Sequence, residues 1–399
     1  MARERTGRGA ARAVLVATAA LLAATTAISP GPSHRGAGAA GGLSAPRLEL
    51  GAGPDIEGFA RATAVRPFRL PADHGPHLEY QTEWWYYTGN VATDDGRRYG
   101  FQLTFFRRGL SPGPPPAGSL ATNQVYFAHF AVTDVAAGRH AGVERFARGA
   151  GGLAGAAGEP CAVWLEDWKA ESLNADGSAF RIVARDAPSS LSLDLELRAT
   201  KPLVAHGDRG LSPKSAEAGN ASYYVGYTRM AARGRIGASG AERHVAGEAW
   251  FDHEWSTSAL GAGAVGWDWF SLHLGDGREL MHFQIRREDG SLEPVSGGTL
   301  VERDGSTRRL AVDDVGLEVR RLWTSPETGA SYPSLWRITV PAAGLDLLVE
   351  PWIPAQEMRT SFVYWEGAVR VSGRAGDRPV AGQGYVELTG YARSMQGVF

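Results

Sequence analysis

The strongest constraint on this chain is a recurring period of two. Tyr99–Phe106, Leu191–Leu197, Glu279–Ile285 and Leu345–Val349 each alternate apolar and polar residues, the signature of half-buried strands. Asp-Gly pairs punctuate the chain at Asp95-Gly96, Asp176-Gly177, Asp276-Gly277, Asp289-Gly290 and Asp304-Gly305. Such pairs favour tight hairpin turns because both residues tolerate positive φ. No segment carries a long amphipathic helical period. The expected fold is therefore all-β, with antiparallel strands closed into barrels or packed as sandwiches so that few edges stay open.

A weak internal echo suggests two such units. Glu83–Val91, a turn at Asp95-Gly96 and Phe101–Arg108 form one aromatic hairpin. Gly266–Leu274, a turn at Asp276-Gly277 and His282–Arg287 repeat the plan. The expected division is residues 65–255 and 258–395, each opened by one of these hairpins. With 399 residues the chain is long enough for two cores.

Residues 1–42 read differently. Arg3, Arg5, Arg8 and Arg12 precede an apolar run from Ala13 to Ile28, and Ser29-Pro30-Gly31 and small residues follow. That order is expected of a cleaved export signal and flexible leader. The run is short for a membrane span, and no later stretch is apolar enough to replace it. Removing the leader shifts the formal net charge from −2 to near −6. The single cysteine, Cys161, excludes an intramolecular disulfide framework and any CxxC site. Export without disulfides suits a bacterial envelope or secreted protein.

Composition also narrows the partners. A mildly acidic chain with aromatic clusters that lack interleaved Lys or Arg does not suit nucleic acid. HExxH and GxxxxGK[ST] are absent. The one GxSxG string, Gly109–Gly113, is followed by Pro114, Pro115 and Pro116, which forbid the helix that a nucleophile elbow needs. Twelve tryptophans are present, and many adjoin acids. In Trp250–Ser256 an extended backbone puts Asp252 and Glu254 on one face and His253 on the other. Dry surroundings move carboxyl and imidazole pKa values toward neutrality, as acid–base chemistry requires. Three consecutive ligands cannot face one ion from a strand, and His74, His77, His129 and His282 are scattered, so no metal is expected. In Glu83–Tyr87, Trp84 and Tyr86 take one face and Glu83, Trp85 and Tyr87 the other. Asn220–Tyr224, Trp267–Trp269 and Tyr364–Glu366 again set polar groups among rings. A cleft so lined suits an apolar, polyene- or terpenoid-like ligand.

At these residues the chain resembles a known family. Glu83–Asn90, Tyr99–Arg107, Tyr126–Phe130, Gly219–Tyr224, Asp252–Ser256, Gly266–Ser271, Tyr364–Gly367 and Gly384–Gly390 are similar to segments of the carotenoid 1,2-hydratase superfamily, specifically its secreted AttH-like, lipocalin-like branch labelled "predicted secreted hydrolase". The resemblance spans about residues 65–395. It implies two tandem lipocalin-like β domains with a ligand site in or between them, and no cofactor. It also implies water addition to an isolated alkene, with His253 and Trp255 matching a His-x-Trp pair. The family's Tyr and Asp positions fall at His282 and Gln284, a departure, since an amide cannot protonate an alkene. The resulting expectation is a hydro-lyase or hydrolase-type enzyme acting on an apolar isoprenoid, lipid or polyketide-like substrate. Its acid–base groups would be His253 with Glu254 or Asp268, oriented by Asp252, and Glu83, Trp84, Tyr224, Trp255, Trp267, His282 and Gln284 would line the site. The alternative is a non-catalytic carrier of a hydrophobic ligand.

Overall fold

A computed structural model describes residues 57–118, 120–257 and 260–397. The leader read at 1–42 lies outside the described residues.

The protein is all-β, built as two curled antiparallel sheets. The first contains β1 (Thr82–Ala92), β2 (Arg98–Gly109), β3 (Gln124–Asp134), β4 (Arg139–Arg148), β5 (Ala154–Gly158), β6 (Cys161–Leu165), β7 (Trp168–Ser172), β8 (Ala179–Asp186), β9 (Leu191–Ala199), β10 (Val204–Ala205), β11 (Leu211–Pro213), β12 (Ala221–Ala238) and β13 (Ala241–Ser256). The second contains β14 (Ala264–Leu274), β15 (Glu279–Arg287), β16 (Gly297–Val301), β17 (Thr307–Ala311), β18 (Gly316–Thr324), β19 (Ser331–Val340), β20 (Leu345–Pro351), β21 (Glu357–Arg359), β22 (Val363–Ala375) and β23 (Arg378–Leu388).

Both sheets share one plan. The first strand of each pairs with the second strand and also with the last: β1 lies between β2 and β13, and β14 between β15 and β23. The two aromatic hairpins of the echo are therefore β1–β2 and β14–β15, in equivalent places. Each sheet curls around its own core. Trp85, Phe101, Phe130, Trp168 and Leu195 fill the first, and Phe270, Trp336, Leu347 and Trp365 fill the second.

The outer faces of these central strands are also buried, because the two sheets pack against each other. Asn90 Nδ2 donates to the Gly384 carbonyl at 2.8 Å, and Thr133 Oγ1 donates to Gln356 Oε1 at 2.7 Å. Gly100 lies so close to the second sheet that a Cβ there would sit 2.5 Å from Ala368 Cβ. A strand buried on both faces cannot keep strict alternation, which explains the near-continuous burial of β1 and β2.

The Asp-Gly turns need one correction. The glycines at 96, 177, 277, 290 and 305 all have positive φ, but none of the paired aspartates does. At four of these turns the aspartate carboxylate instead accepts the amide two residues on: Ser178, Arg278, Ser291 and Ser306, at 2.9–3.1 Å. The side chain closes the turn that the backbone was expected to close.

Candidate active site

Where the sheets meet, their aromatic outer faces enclose a cavity of about 100 Å³. The first sheet supplies Trp84 and Tyr86 from β1, Phe106 from β2, Tyr224 from β12, and Asp252 and Glu254 from β13. The second supplies Trp267 and Trp269 from β14, Phe283 from β15, Tyr364 and Glu366 from β22, and Glu387 from β23. Each choice follows from alternation. Residues 84 and 86, 252 and 254, 267 and 269, and 364 and 366 each share a strand face.

Four carboxyl groups line this space with a single cation, Lys214. Lys214 Nζ is committed to Glu254 Oε2 at 2.8 Å, and Ser222 Oγ donates to the same oxygen. The other three acids have neutral partners. Asp252 accepts Tyr224 Oη and Trp250 Nε1, each at 2.8 Å, and Trp269 Nε1 donates to Tyr224 Oη at 3.1 Å. Tyr86 Oη donates to Glu366 Oε1. Trp267 Nε1 donates to Glu387 Oε2 at 3.1 Å.

Burial without a counter-ion favours the protonated form. Loss of hydration carries Asp252 well above the carboxylate range, and the Tyr224 and Trp250 bonds only partly oppose it. Glu366 is raised well above its ordinary value by burial and then by Glu387, directly opposite it in the β22–β23 register. Burial pushes Glu387 up to about 7. Glu387 is half-buried, but it lines the cavity, so its free surface does not bring the hydration of bulk water. Two acids side by side in an apolar box resist ionising together, so the pair holds a proton at neutral pH.

The proposed acid–base grouping needs correction. Asp252, Glu254, Trp84, Tyr224 and Trp267 do line the cavity. His253 takes the opposite face of β13 and cannot be oriented by Asp252. Its Nε2 meets Glu83 Oε1 at 2.9 Å inside the first sheet. Glu83 also accepts the His77 amide at 2.9 Å, His77 Nδ1 at 2.8 Å and Arg107 Nε at 2.9 Å. Trp255 stacks on His77 with centroids 3.8 Å apart and lies in a separate apolar cluster. Asp268, His282 and Gln284 take the inner face of the second sheet, away from Phe283 and Ile285. Gln284 Nε2 donates to Asp268 Oδ2 at 2.7 Å, and Arg286 Nε holds Oδ1 at 3.0 Å. His253, Asp268 and His282 therefore do not converge on one cavity.

His77, Glu83 and His253 are the one trio of potential metal-ligating groups close together among the described residues. Arg107 Nε holds the other carboxylate oxygen, Oε2, at 2.9 Å, so a fully buried guanidinium already neutralises Glu83. Burial pushes the Glu83 carboxyl up, but the Arg107 charge together with the His253 and His77 hydrogen bonds outweighs it and holds the carboxyl far below its usual range. Burial lowers the His253 pKa, with Glu83 opposing. The trio fits a buried ion-pair lock better than a metal site.

Glu366 and Glu387 were not among the expected site residues. Both sit in segments that carry the family resemblance, Tyr364–Gly367 and Gly384–Gly390. Their pairing across two strands and onto the first sheet is not visible in a linear pattern.

Comparison with known proteins fits this architecture. A family model described as AttH-like matches residues 61–391. The chain belongs to the AttH-like family. An AttH-assigned protein from Nitrosomonas europaea is 34% identical in its solved structure, with a TM-score of 0.73 over 84% of this chain and 100% of its own. Kievitone hydratase from Nectria haematococca is 15% identical, with a TM-score of 0.64 over 84% of this chain and 97% of its own, and shares the fold. No curated protein matches the chain.

Proposed function

We propose that this AttH-like protein is a hydratase-type hydro-lyase that adds water to, or removes it from, a small apolar molecule held between its two sheets. The observation that carries this reading is the cross-strand pair Glu366–Glu387 in an aromatic cavity with no free cation. Alkene hydration needs a strong, dry proton donor, and a buried carboxylic acid is one. Glu366 is the protonated member and gives its proton to the alkene carbon. The carbocation formed is faced by the rings of Trp84, Tyr86, Trp267 and Trp269, which stabilise positive charge. Water attacks the cation and loses a proton to Glu387. Transfer from Glu387 to Glu366 restores the pair, so the net change is addition of one water. Asp252, fixed by Tyr224 and Trp250, offers a second neutral acid to orient a substrate oxygen. The reaction is also consistent with a relative of the same fold named as a hydratase.

A pure carrier would gain nothing from three buried acids without cations, since each costs hydration. We further propose export to the bacterial envelope or beyond, on the strength of the leader sequence alone. The test is to extract the purified protein with organic solvent, identify any bound apolar molecule by mass spectrometry, and then incubate neutral isoprenoid alkenes with it in H₂¹⁸O. Label incorporated by wild type and lost in Glu366→Gln supports the reading. Alkene binding without label in either protein contradicts it and leaves a carrier.

A further inference from the structure

A second chain of polar groups begins at the cavity wall and runs outward through the first sheet. Tyr364 on β22 lines the cavity beside Glu366. Its hydroxyl lies 2.7 Å from His129 Nδ1, on β3. His129 is fully buried, and its Nε2 lies 2.8 Å from Glu144 Oε1, on β4. The Glu144 side chain is 13% exposed and reaches the surface. It is anchored there by the Ser361 amide at 2.9 Å and the Ser361 hydroxyl at 2.7 Å.

The proton positions in this chain are constrained. A carboxylate accepts only, so His129 carries its proton on Nε2 and gives it to Glu144. With the imidazole neutral, Nδ1 accepts and the Tyr364 hydroxyl donates to it. The Tyr364 oxygen keeps lone pairs facing Glu366. At the other end, Glu366 Oε1 accepts from Tyr86, while Oε2 is buried with no hydrogen-bond partner. A proton on Glu366 has two acceptors beside it: Glu387, across the strand pair, and the Tyr364 oxygen, which leads toward solvent. Every donor from Glu366 to Glu144 then points the same way.

We propose that Tyr364, His129 and Glu144 form a proton wire that connects Glu366 to solvent while the cavity is closed over a ligand. The wire rests on the cavity being the reaction site. Discharge moves one proton per link: Glu366 Oε2–H to the Tyr364 oxygen, the Tyr364 hydroxyl proton to His129 Nδ1, the Nε2 proton to Glu144, and the Glu144 proton to water. Run in reverse, the same steps recharge Glu366. Phe106, Phe127 and Phe362 pack around His129 and keep water out of the path. Burial opposes ionisation of Glu144, but its bonds to His129 and Ser361 outweigh that and hold it below the usual carboxylate range, ready to accept. Tyr364, His129 and Glu144 are positioning and relay residues. None is required to touch the alkene.

The experiment is infrared spectroscopy of the full chain on rapid mixing from H₂O into D₂O. The carbonyl stretch of a protonated carboxyl, assigned by its loss in Glu366→Gln, reports when that proton is replaced. Tyr364→Phe removes the link but keeps the ring, and should slow exchange ~10-fold or more, a relay effect of the size of positioned acid–base transfer. Glu144→Gln leaves the buried residues intact and should slow it in the same direction. It also keeps the test usable if Tyr364→Phe folds poorly. A merely structural loss would loosen the protein and speed exchange. Unchanged or faster exchange in both variants, with the Glu366 band present, overturns the wire and leaves the cavity acid standing. No Glu366 acid band in wild type overturns both.

Discussion

Glu83→Gln is the sharpest probe of the buried lock inside the first sheet. The carboxylate accepts four hydrogen bonds, from the His77 amide, His77 Nδ1, His253 Nε2 and Arg107 Nε, at 2.8–2.9 Å. Both Glu83 and Arg107 are fully buried. The amide keeps the shape but loses the charge, leaving a buried guanidinium without a counter-ion. Breaking one partner of a buried ion pair costs about 3–5 kcal/mol. The described fold of roughly 340 residues has an unfolding entropy of about 0.7 kcal/mol/K, so a loss of about 4 kcal/mol lowers Tm by about 6 °C. Scanning calorimetry at pH 7 measures this directly. Glu327→Gln is the control, because its 2.7 Å pair with Arg359 is mostly exposed and should move Tm by less than about 1 °C. The sign with pH follows from the depressed Glu83 pKa. Its contribution is complete above the unfolded value near 4.5 and is lost as pH falls through the folded value. The gap between wild type and variant should therefore narrow in acid. A Glu83→Gln protein that melts within about 1 °C of wild type at pH 7 would refute the reasoning.

Three further outcomes are expected. Glu387 titrates near 7 in the fold against 4.5 when unfolded, so the folded state binds more protons between those values and its stability falls as pH rises through that window. Urea titrations should show that slope flattened in Glu387→Gln. Glu366→Gln replaces an acid already neutral and should change Tm by no more than ordinary surface variants do, while removing ¹⁸O incorporation. Gly226 lies opposite Asp252 in the β12–β13 register, and a Cβ there would sit 2.4 Å from Asp252 Oδ1 and 2.5 Å from the Phe251 carbonyl. Gly226→Ala should therefore destabilise by about 1–3 kcal/mol in urea melts and disturb the Tyr224–Asp252 bond.

The sequence revealed what strand periodicity can carry. It separated Trp84 and Tyr86 from Glu83, and Asp252 and Glu254 from His253, and both separations hold in the fold. Alternation says which residues share a face, but not what that face meets. The alternation of β1 and β13 does not show that β14, β22 and β23 cover their outer faces. That contact turns Asp252 into a buried acid and brings Glu366 and Glu387 into the same cavity. His253 lies between two acids and two tryptophans in sequence, yet its hydrogen-bond partner Glu83, and His77 and Arg107 that share that carboxylate, lie 146 to 176 positions earlier in the chain. Asp268 and Gln284 are adjacent through a strand pairing, and Arg286 neutralises the acid expected to stand in for the missing donor. The relay through Glu144, His129 and Tyr364 spans both sheets, and no local pattern announces it.

The central claim is that chemistry occurs between the sheets and not at the His253 cluster. The direct measurement compares ¹⁸O incorporation into a neutral isoprenoid alkene by Glu366→Gln and His253→Gln, each verified as folded. The account predicts that Glu366→Gln abolishes incorporation while folded His253→Gln retains it. Loss of incorporation in folded His253→Gln with full retention in Glu366→Gln would contradict it.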